Sequence, residues 1–198
     1  MKISSLIFAT NNQHKADEIR AVLNNNFLIR TLQEAGILLE IPEPYFTLEE
    51  NAREKSRVIY NVTGFDCFSE DTGLEVMALQ GEPGVKSARY AGEPVNYKKN
   101  NEKLLHNMMG CTNRSAQFRT IISLLINGKE YQFEGICKGF IIEKEKGIQG
   151  FGYDPVFMPE GADKTFAEMD MTKKNYYSHR KKATEKFVQF LMQYNGQN

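Results

Sequence analysis

Several things are missing from this chain of 198 residues, and each absence removes a class of function. Its 25 basic and 25 acidic residues cancel, so no global field favours a nucleic-acid polymer or an anionic membrane surface. Any anion site must therefore be local. Its 3 cysteines, Cys67, Cys111 and Cys137, are widely spaced and contain no C-x-x-C pair. That argues against a disulfide scaffold or a structural zinc site and fits a reducing compartment. No apolar run approaches membrane-spanning length. The run Met1–Ala9 turns polar too soon for a signal-peptide apolar region, so a cytoplasmic protein is expected. There is no repeat, no low-complexity tract and no linker, which leaves a single domain over 1–198 as the expectation. The phosphate-loop pattern G-x-x-x-x-G-K-[ST] occurs nowhere.

What is present reads as an α/β protein. Leu6–Ala9 is a short continuous apolar run, as in a strand covered on both faces. The polar turn Thr10-Asn11-Asn12 follows, then a helix with Ala16, Ile19, Val22 and Leu23 on one side and Asn12 as N-cap. Thr47-Leu48-Glu49-Glu50 has capping-box form and opens a second helix with an apolar stripe of Leu48, Ala52, Ile59 and Val62. Phe65–Leu79 reads as two short strands around Glu70-Asp71-Thr72-Gly73. Tyr97–Met109 is helix-like, and the segments 115–126 and 131–142 are strands joined through Asn127-Gly128, a strong hairpin signal. A last helix carries Ala183, Phe187, Phe190, Leu191 and Tyr194 on one face. Hairpins mixed with helices point to a mixed sheet.

Four groups could carry chemistry. Thr10, Asn11, Asn12, Gln13, His14 and Lys15 sit where a strand hands over to a helix, a junction whose free N–H groups and dipole attract anions, although an ordinary capped helix reads the same way. Lys55 fills the gap in the apolar stripe of the second helix, as a snorkelling lysine or as a cation aimed at a polyanion. Glu43, Glu70 and Asp71 are acids for a solvated turn or for Mg²⁺, which takes one or two carboxylates with water and phosphate. Because Glu70 and Asp71 are adjacent, an extended backbone sends them to opposite faces. In the fourth group, the stripe extended back from Ala183 puts Arg180, His179 and Tyr176 on or near a buried face, for a core histidine or a ligand carbonyl. Beside these stands the octet Gly150-Phe151-Gly152-Tyr153-Asp154-Pro155-Val156-Phe157. Its glycines and proline make a stiff turn that presents a ring and a carboxylate, which suits a flat polar ligand such as a nucleobase.

The motifs T-N-N-x-x-K at 10–15, E-N-A-x-x-K at 50–55, S-E-D-T-G-L at 69–74, G-x-P-G-x-x-S-A-R-Y-A-G at 81–92, G-F-G-Y-D-P-V-F at 150–157 and S-H-R at 178–180 occur in order. In this the chain resembles the inosine triphosphate pyrophosphatase family, also called Ham1-like, from Leu6 to Phe190. The resemblance implies an elongated, two-lobed α/β fold with a mixed sheet flanked by helices and a nucleotide cleft. It also implies Mg²⁺-dependent hydrolysis of ITP, dITP and XTP to monophosphate and pyrophosphate, by a homodimer. By position it makes Asp71 the catalytic carboxylate and a metal ligand, with Glu43 as the second metal acid. Thr10, Asn12, Lys15, Lys55 and Lys174 would hold the triphosphate, and Thr72 would touch substrate. Phe151, Gly152, Tyr153, Asp154, His179 and Arg180 would form the base pocket, with Arg180 donating to a 6-oxo group and Asp154 accepting from N1–H. Two positions depart from the family pattern: Asn11 stands where Gly is usual, with a left-handed turn expected to be tolerated, and Glu70 where Asp is usual. A pyrophosphatase for modified pyrimidine nucleotides and a nucleotide sensor without catalysis are the rival expectations.

Overall fold

The computed structural model describes residues 5–23 and 27–197, with side chains described through 194. Its described strands are β1 (Ser5–Phe8), β2 (Leu28–Thr31), β3 (Cys67–Val76), β4 (Pro83–Gly84), β5 (Ser115–Ile126), β6 (Lys129–Ile141) and β7 (Phe157–Pro159). Its described helices are α1 (Gln13–Leu23), α2 (Leu48–Thr63), α3 (Tyr97–Asn107), α4 (Met171–Tyr177) and α5 (His179–Gln197). The sheet is mixed, in the order β2-β1-β3-β5-β6-β7 with β4 beside β3. β1 runs parallel to β2 and β3, whereas β3 pairs antiparallel with β4 and β6 with β7. The α/β class and mixed sheet expected from the sequence are thus present.

The chain divides into two compact units. One is drawn from Met1–Asp71, Thr120–Gly135 and Arg180–Asn198, the other from Thr72–Arg119 and Ile136–His179.

In the first unit, strand alternation builds two cores. Leu6, Phe8, Phe68, Ile122 and Leu124 face Ala16, Ile19, Ala183, Phe187 and Leu191 of α1 and α5. Ile7, Cys67 and Leu125 cluster instead with Leu32 and with Ile59 of α2. The continuous apolar run at the start of the chain is explained by this double cover. Thr47 caps α2, its hydroxyl oxygen accepting from the Glu50 N–H, and the helix stops at a left-handed Gly64. Val62, expected on the buried stripe, is 65% exposed, because the stripe ends one turn earlier at Ile59. The second unit has its own core, which includes Leu74, Val76, Leu104, Phe118, Ile141, Tyr153, Phe157 and Phe166.

Two further expectations are corrected. The stretch read as two short strands is one ten-residue strand, β3, running straight through Glu70-Asp71-Thr72-Gly73. Gly73 marks a close approach rather than a turn, since a Cβ there would lie 2.7 Å from the Gly84 carbonyl oxygen. The stripe of α5 does not extend back to Tyr176, which is 77% exposed. Ser178, at ψ 127°, separates α4 from α5 and resets the helical phase. The Asn127-Gly128 hairpin forms as read, with Asn127 at φ 46°.

Cys67 illustrates how tightly α2 lies on β3. Its thiol donates to the Ser56 carbonyl at 3.1 Å, and burial, aided by Asp66, pushes its pKa up to about 12. A thiol held so far above its ordinary range is scarcely ionised at pH 8. Iodoacetamide on the native protein should therefore label the half-buried Cys111 first and reach Cys67 only after denaturation. Mass spectrometry of a labelling time course checks this, and equal rates at the two sites would contradict the packing of α2 on β3.

Candidate active site

The turn that precedes α1 is built by its own side chains. Thr10 Oγ1 accepts from the Asn12 N–H at 3.1 Å, and Asn12 Oδ1 accepts from the Lys15 N–H at 3.3 Å, the N-cap expected from the sequence. Gln13 is exposed and bonds Asp17, and His14 is exposed as well. The left-handed tolerance of asparagine is not called on at Asn11, since Gln80 and Asn127 are the non-glycine residues with positive φ among those described. An asparagine in place of glycine is therefore free of strain here.

β3 sorts its side chains by parity, as an extended strand must. Cys67, Ser69 and Asp71 face α2: Ser69 Oγ donates to the Ala52 carbonyl, and Asp71 Oδ1 receives the Lys55 ammonium at 2.9 Å. Phe68 and Glu70 face the other way, Phe68 against Phe187 and Glu70 against Arg180.

The Asp71 face forms a small charged cluster. Lys55, 6% exposed, places Nζ between Asp71 and Glu43, with Glu43 Oε1 at 2.6 Å. A snorkelling lysine would put its charge in water, and this one does not. Burial works against the Lys55 ammonium, but Asp71 and Glu43 outweigh it and hold its pKa above the usual lysine value. Burial also pushes the Asp71 carboxyl above the usual aspartate range, against the pull of Lys55 and Lys15 and with help from Glu43. Lys55 is thus shared between two carboxylates, Asp71 and Glu43.

The opposite face holds a buried ion cluster that the sequence did not disclose. Arg180 binds Glu70 bidentately, Nε to Oε2 at 2.8 Å and Nη2 to Oε1 at 2.9 Å, and Nη1 contacts Glu18. Lys15 reaches Glu70 Oε1 at 3.6 Å. These two cations and two carboxylates sum to zero, as a buried set should. Burial opposes the Arg180 charge, yet Glu70 and then Glu18 raise its pKa beyond the ordinary arginine value. Glu18 was missed because its partner lies 162 residues away. The available signal was an acid beside Ile19 on the buried side of α1.

In the second unit the octet is a tight turn. Gly150 is at φ +74°, and a Cβ there would run into Asp154 Oδ2. That oxygen accepts from the Phe151 N–H at 2.9 Å and from Lys174 Nζ at 2.6 Å. The carboxylate expected to be presented outward is thus buried and paired. Lys174 Nζ also lies 5.3 Å from the Phe151 ring centre and 5.4 Å from that of Phe166. Phe151 and Gly152 stay partly exposed, whereas Tyr153 is buried. His179 stacks on Phe118 at 4.6 Å, and Thr72 is half-buried on β3.

The structure therefore brings Asp71, Glu43 and Lys55 together, joins Arg180 and Lys15 through Glu70, and gathers Phe151, Asp154 and Lys174. Among the described residues no group of three or more His, Cys, Asp or Glu could hold a metal ion. An ion at Asp71 and Glu43 would take at most two protein carboxylates, with the rest of its shell from water or phosphate. That donor set suits Mg²⁺.

Known proteins resemble this chain along nearly its whole length. A sequence model of the Ham1 family matches residues 6–190. A dITP/XTP pyrophosphatase of Flavobacterium johnsoniae is 48% identical over 186 residues, covering 94% of this chain and 97% of that protein. One of Porphyromonas gingivalis is 46% identical over 191 residues, covering 96% and 98%. Among solved structures, the Staphylococcus aureus Ham1 protein superposes with a TM-score of 0.87 at 35% identity, covering 96% of this chain and 98% of that one. A HAM1 protein from Coxiella burnetii gives 0.88 at 31% identity, covering 96% and 99%.

Proposed function

The chain belongs to the Ham1 family, and on that premise we propose that it is a nucleoside-triphosphate pyrophosphatase. It hydrolyses ITP, dITP and XTP to the monophosphate and pyrophosphate with Mg²⁺, removing non-standard purines from the nucleotide pool. The relatives named dITP/XTP pyrophosphatase support the substrate class. The observation that carries the reading is the buried Lys55 ammonium held between Asp71 and Glu43.

Asp71 and Glu43 are the residues that would hold Mg²⁺. When bound, the ion supplies charge neutralisation for the phosphates and acidifies water. Asp71 takes the proton of the attacking water. A carboxyl whose pKa burial has raised is a stronger base than an exposed aspartate, and that is the direction catalysis needs. A bond forms from the water oxygen to the α-phosphorus, and the bond to the bridging oxygen of the departing pyrophosphate breaks. Lys55 and Lys15 stabilise the charge that gathers on that leaving group. The N–H groups at the start of α1, with Thr10 and Asn12, cradle the phosphates.

The base lies against Phe151. Lys174, anchored by Asp154, serves the base rather than the phosphates, because its ammonium is engaged in the aromatic turn. A donor fixed at the base edge satisfies a 6-oxo group and leaves the 6-amino group of adenine opposed by another donor. The guanidinium of Arg180, at the start of α5, is oriented by Glu70 and Glu18. The family resemblance supports a homodimer acting on free nucleotides in the cytoplasm. No described helix is long and apolar enough to cross a membrane.

A pyrophosphate-release assay over ITP, dITP, XTP, a modified pyrimidine triphosphate, dATP and dGTP, with and without Mg²⁺ and with dITP binding measured alongside, tests the proposal. Turnover of the first three and little of the last two, lost on chelation, is the expected result. A preference for modified pyrimidine triphosphates, or tight dITP binding without turnover, would replace it with one of the rival readings.

A further inference from the structure

The segment 81–92 carries a motif for which the chemistry above has no use. Ser87, buried at its centre, is a hydrogen-bond hub. Its hydroxyl accepts from the Leu74 N–H of β3 at 2.9 Å and donates to the Gly84 carbonyl at 2.6 Å. Its carbonyl accepts from the Tyr153 hydroxyl at 2.9 Å and from Asn100 Nδ2 at 3.3 Å. Ser87 thus ties the aromatic turn to Leu74 of β3.

Two adjacent asparagines of α3 complete the frame. Asn100 also accepts from the Ala91 N–H at 2.7 Å and donates to the Ala88 carbonyl at 2.8 Å, which uses up its amide on the 81–92 segment. Asn101 Nδ2 donates to the Gly152 carbonyl at 3.2 Å, while its buried Oδ1 has no hydrogen-bond partner among the described residues. The turn between Phe151 and Asp154 is therefore held from outside at two consecutive residues, through the carbonyl of Gly152 and the side chain of Tyr153.

We propose that Tyr153 is a positioning residue for base selection: its hydroxyl, moored to the Ser87 carbonyl, fixes the turn that sets Phe151 and Asp154 and hence Lys174. It makes no contact with the nucleotide, because its ring is in the core and its hydroxyl is already donated to Ser87. This rests on the reading of that turn as the base site. The mooring governs how well the base is held, whereas Asp71 and Lys55 have hydrogen bonds of their own, so its loss falls on binding and selectivity more than on the chemical step.

The test is Tyr153→Phe, which keeps the packed ring and deletes one oxygen. KM for dITP should rise about tenfold and the dITP-to-dATP preference in kcat/KM should fall about tenfold, with kcat falling much less than KM rises. Asn101→Ala, which frees the same turn at Gly152, should shift KM in the same direction. It decides the matter if Tyr153→Phe fails to fold. A folded Tyr153→Phe protein, by thermal melt, that keeps the wild-type preference overturns the proposal, as does a loss confined to kcat. The wild-type arm reports separately on the underlying reading: if it shows no preference for dITP over dATP, the base-site assignment fails and the mooring role fails with it.

Discussion

Asp71→Asn should lower kcat for dITP by about a thousandfold while leaving the thermal midpoint where it was or higher. The loss follows from removing the proton acceptor, a group that contributes about a hundredfold to ten-thousandfold. The stability result follows from the direction of the pKa shift. Burial raises the Asp71 carboxyl above its unfolded value, so the folded protein holds that proton more tightly than the unfolded chain does. Its stabilising contribution is therefore present at low pH and is lost as pH rises through the shifted pKa. At neutral pH the ionised Asp71 is a liability for folding, and an amide resembles the protonated form. Lys55 keeps Glu43 as a partner. Steady-state kinetics and a melt on the same preparation check both halves. A variant with near-normal kcat would remove Asp71 from its role.

Arg180→Met should destabilise the protein by roughly 3–5 kcal/mol, the usual result of taking one partner from a buried ionic set. Glu18 and Glu70 are only 4% and 2% exposed, and both lose a hydrogen-bonded cation. In a chain of this size that corresponds to a fall in Tm of about 10 °C. Without the guanidinium the two carboxyls acquire raised pKa values, so acidification protonates them and the deficit shrinks. Urea melts at pH 7 and pH 5 should show a smaller loss at the lower pH. Adding Glu18→Gln should recover most of the stability, because Lys15 and Glu70 then remain as a balanced pair. A pH-independent loss would mean that packing, rather than charge, sets the effect.

Local signals were legible wherever the chain alone determined the outcome. The double cover of β1, the Thr47 cap, the hairpin at Asn127-Gly128 and the inward turn of Lys55 all follow from spacing and turn chemistry. The opposite facing of Glu70 and Asp71 was a consequence of strand parity, and it decides which acid meets Lys55 and which meets Arg180. Other features depended on distant partners. Gly73 looked like a break because glycine so often is one, and only Gly84 packed against it explains a glycine inside a straight strand. Tyr176 was assigned to the wrong face because a helical stripe was carried across Ser178, where the backbone leaves the helix. Asp154 looked like a free acceptor because its cation, Lys174, lies 20 residues on. Arg180 read as a ligand donor until the fold joined it to Glu18.

The reaction itself is open to one direct measurement: hydrolysis of dITP in Mg²⁺ and ¹⁸O-labelled water, with products separated and weighed. Attack at the α-phosphorus predicts pyrophosphate without label and dIMP carrying one labelled oxygen. Release of orthophosphate, or label in the pyrophosphate, would contradict it.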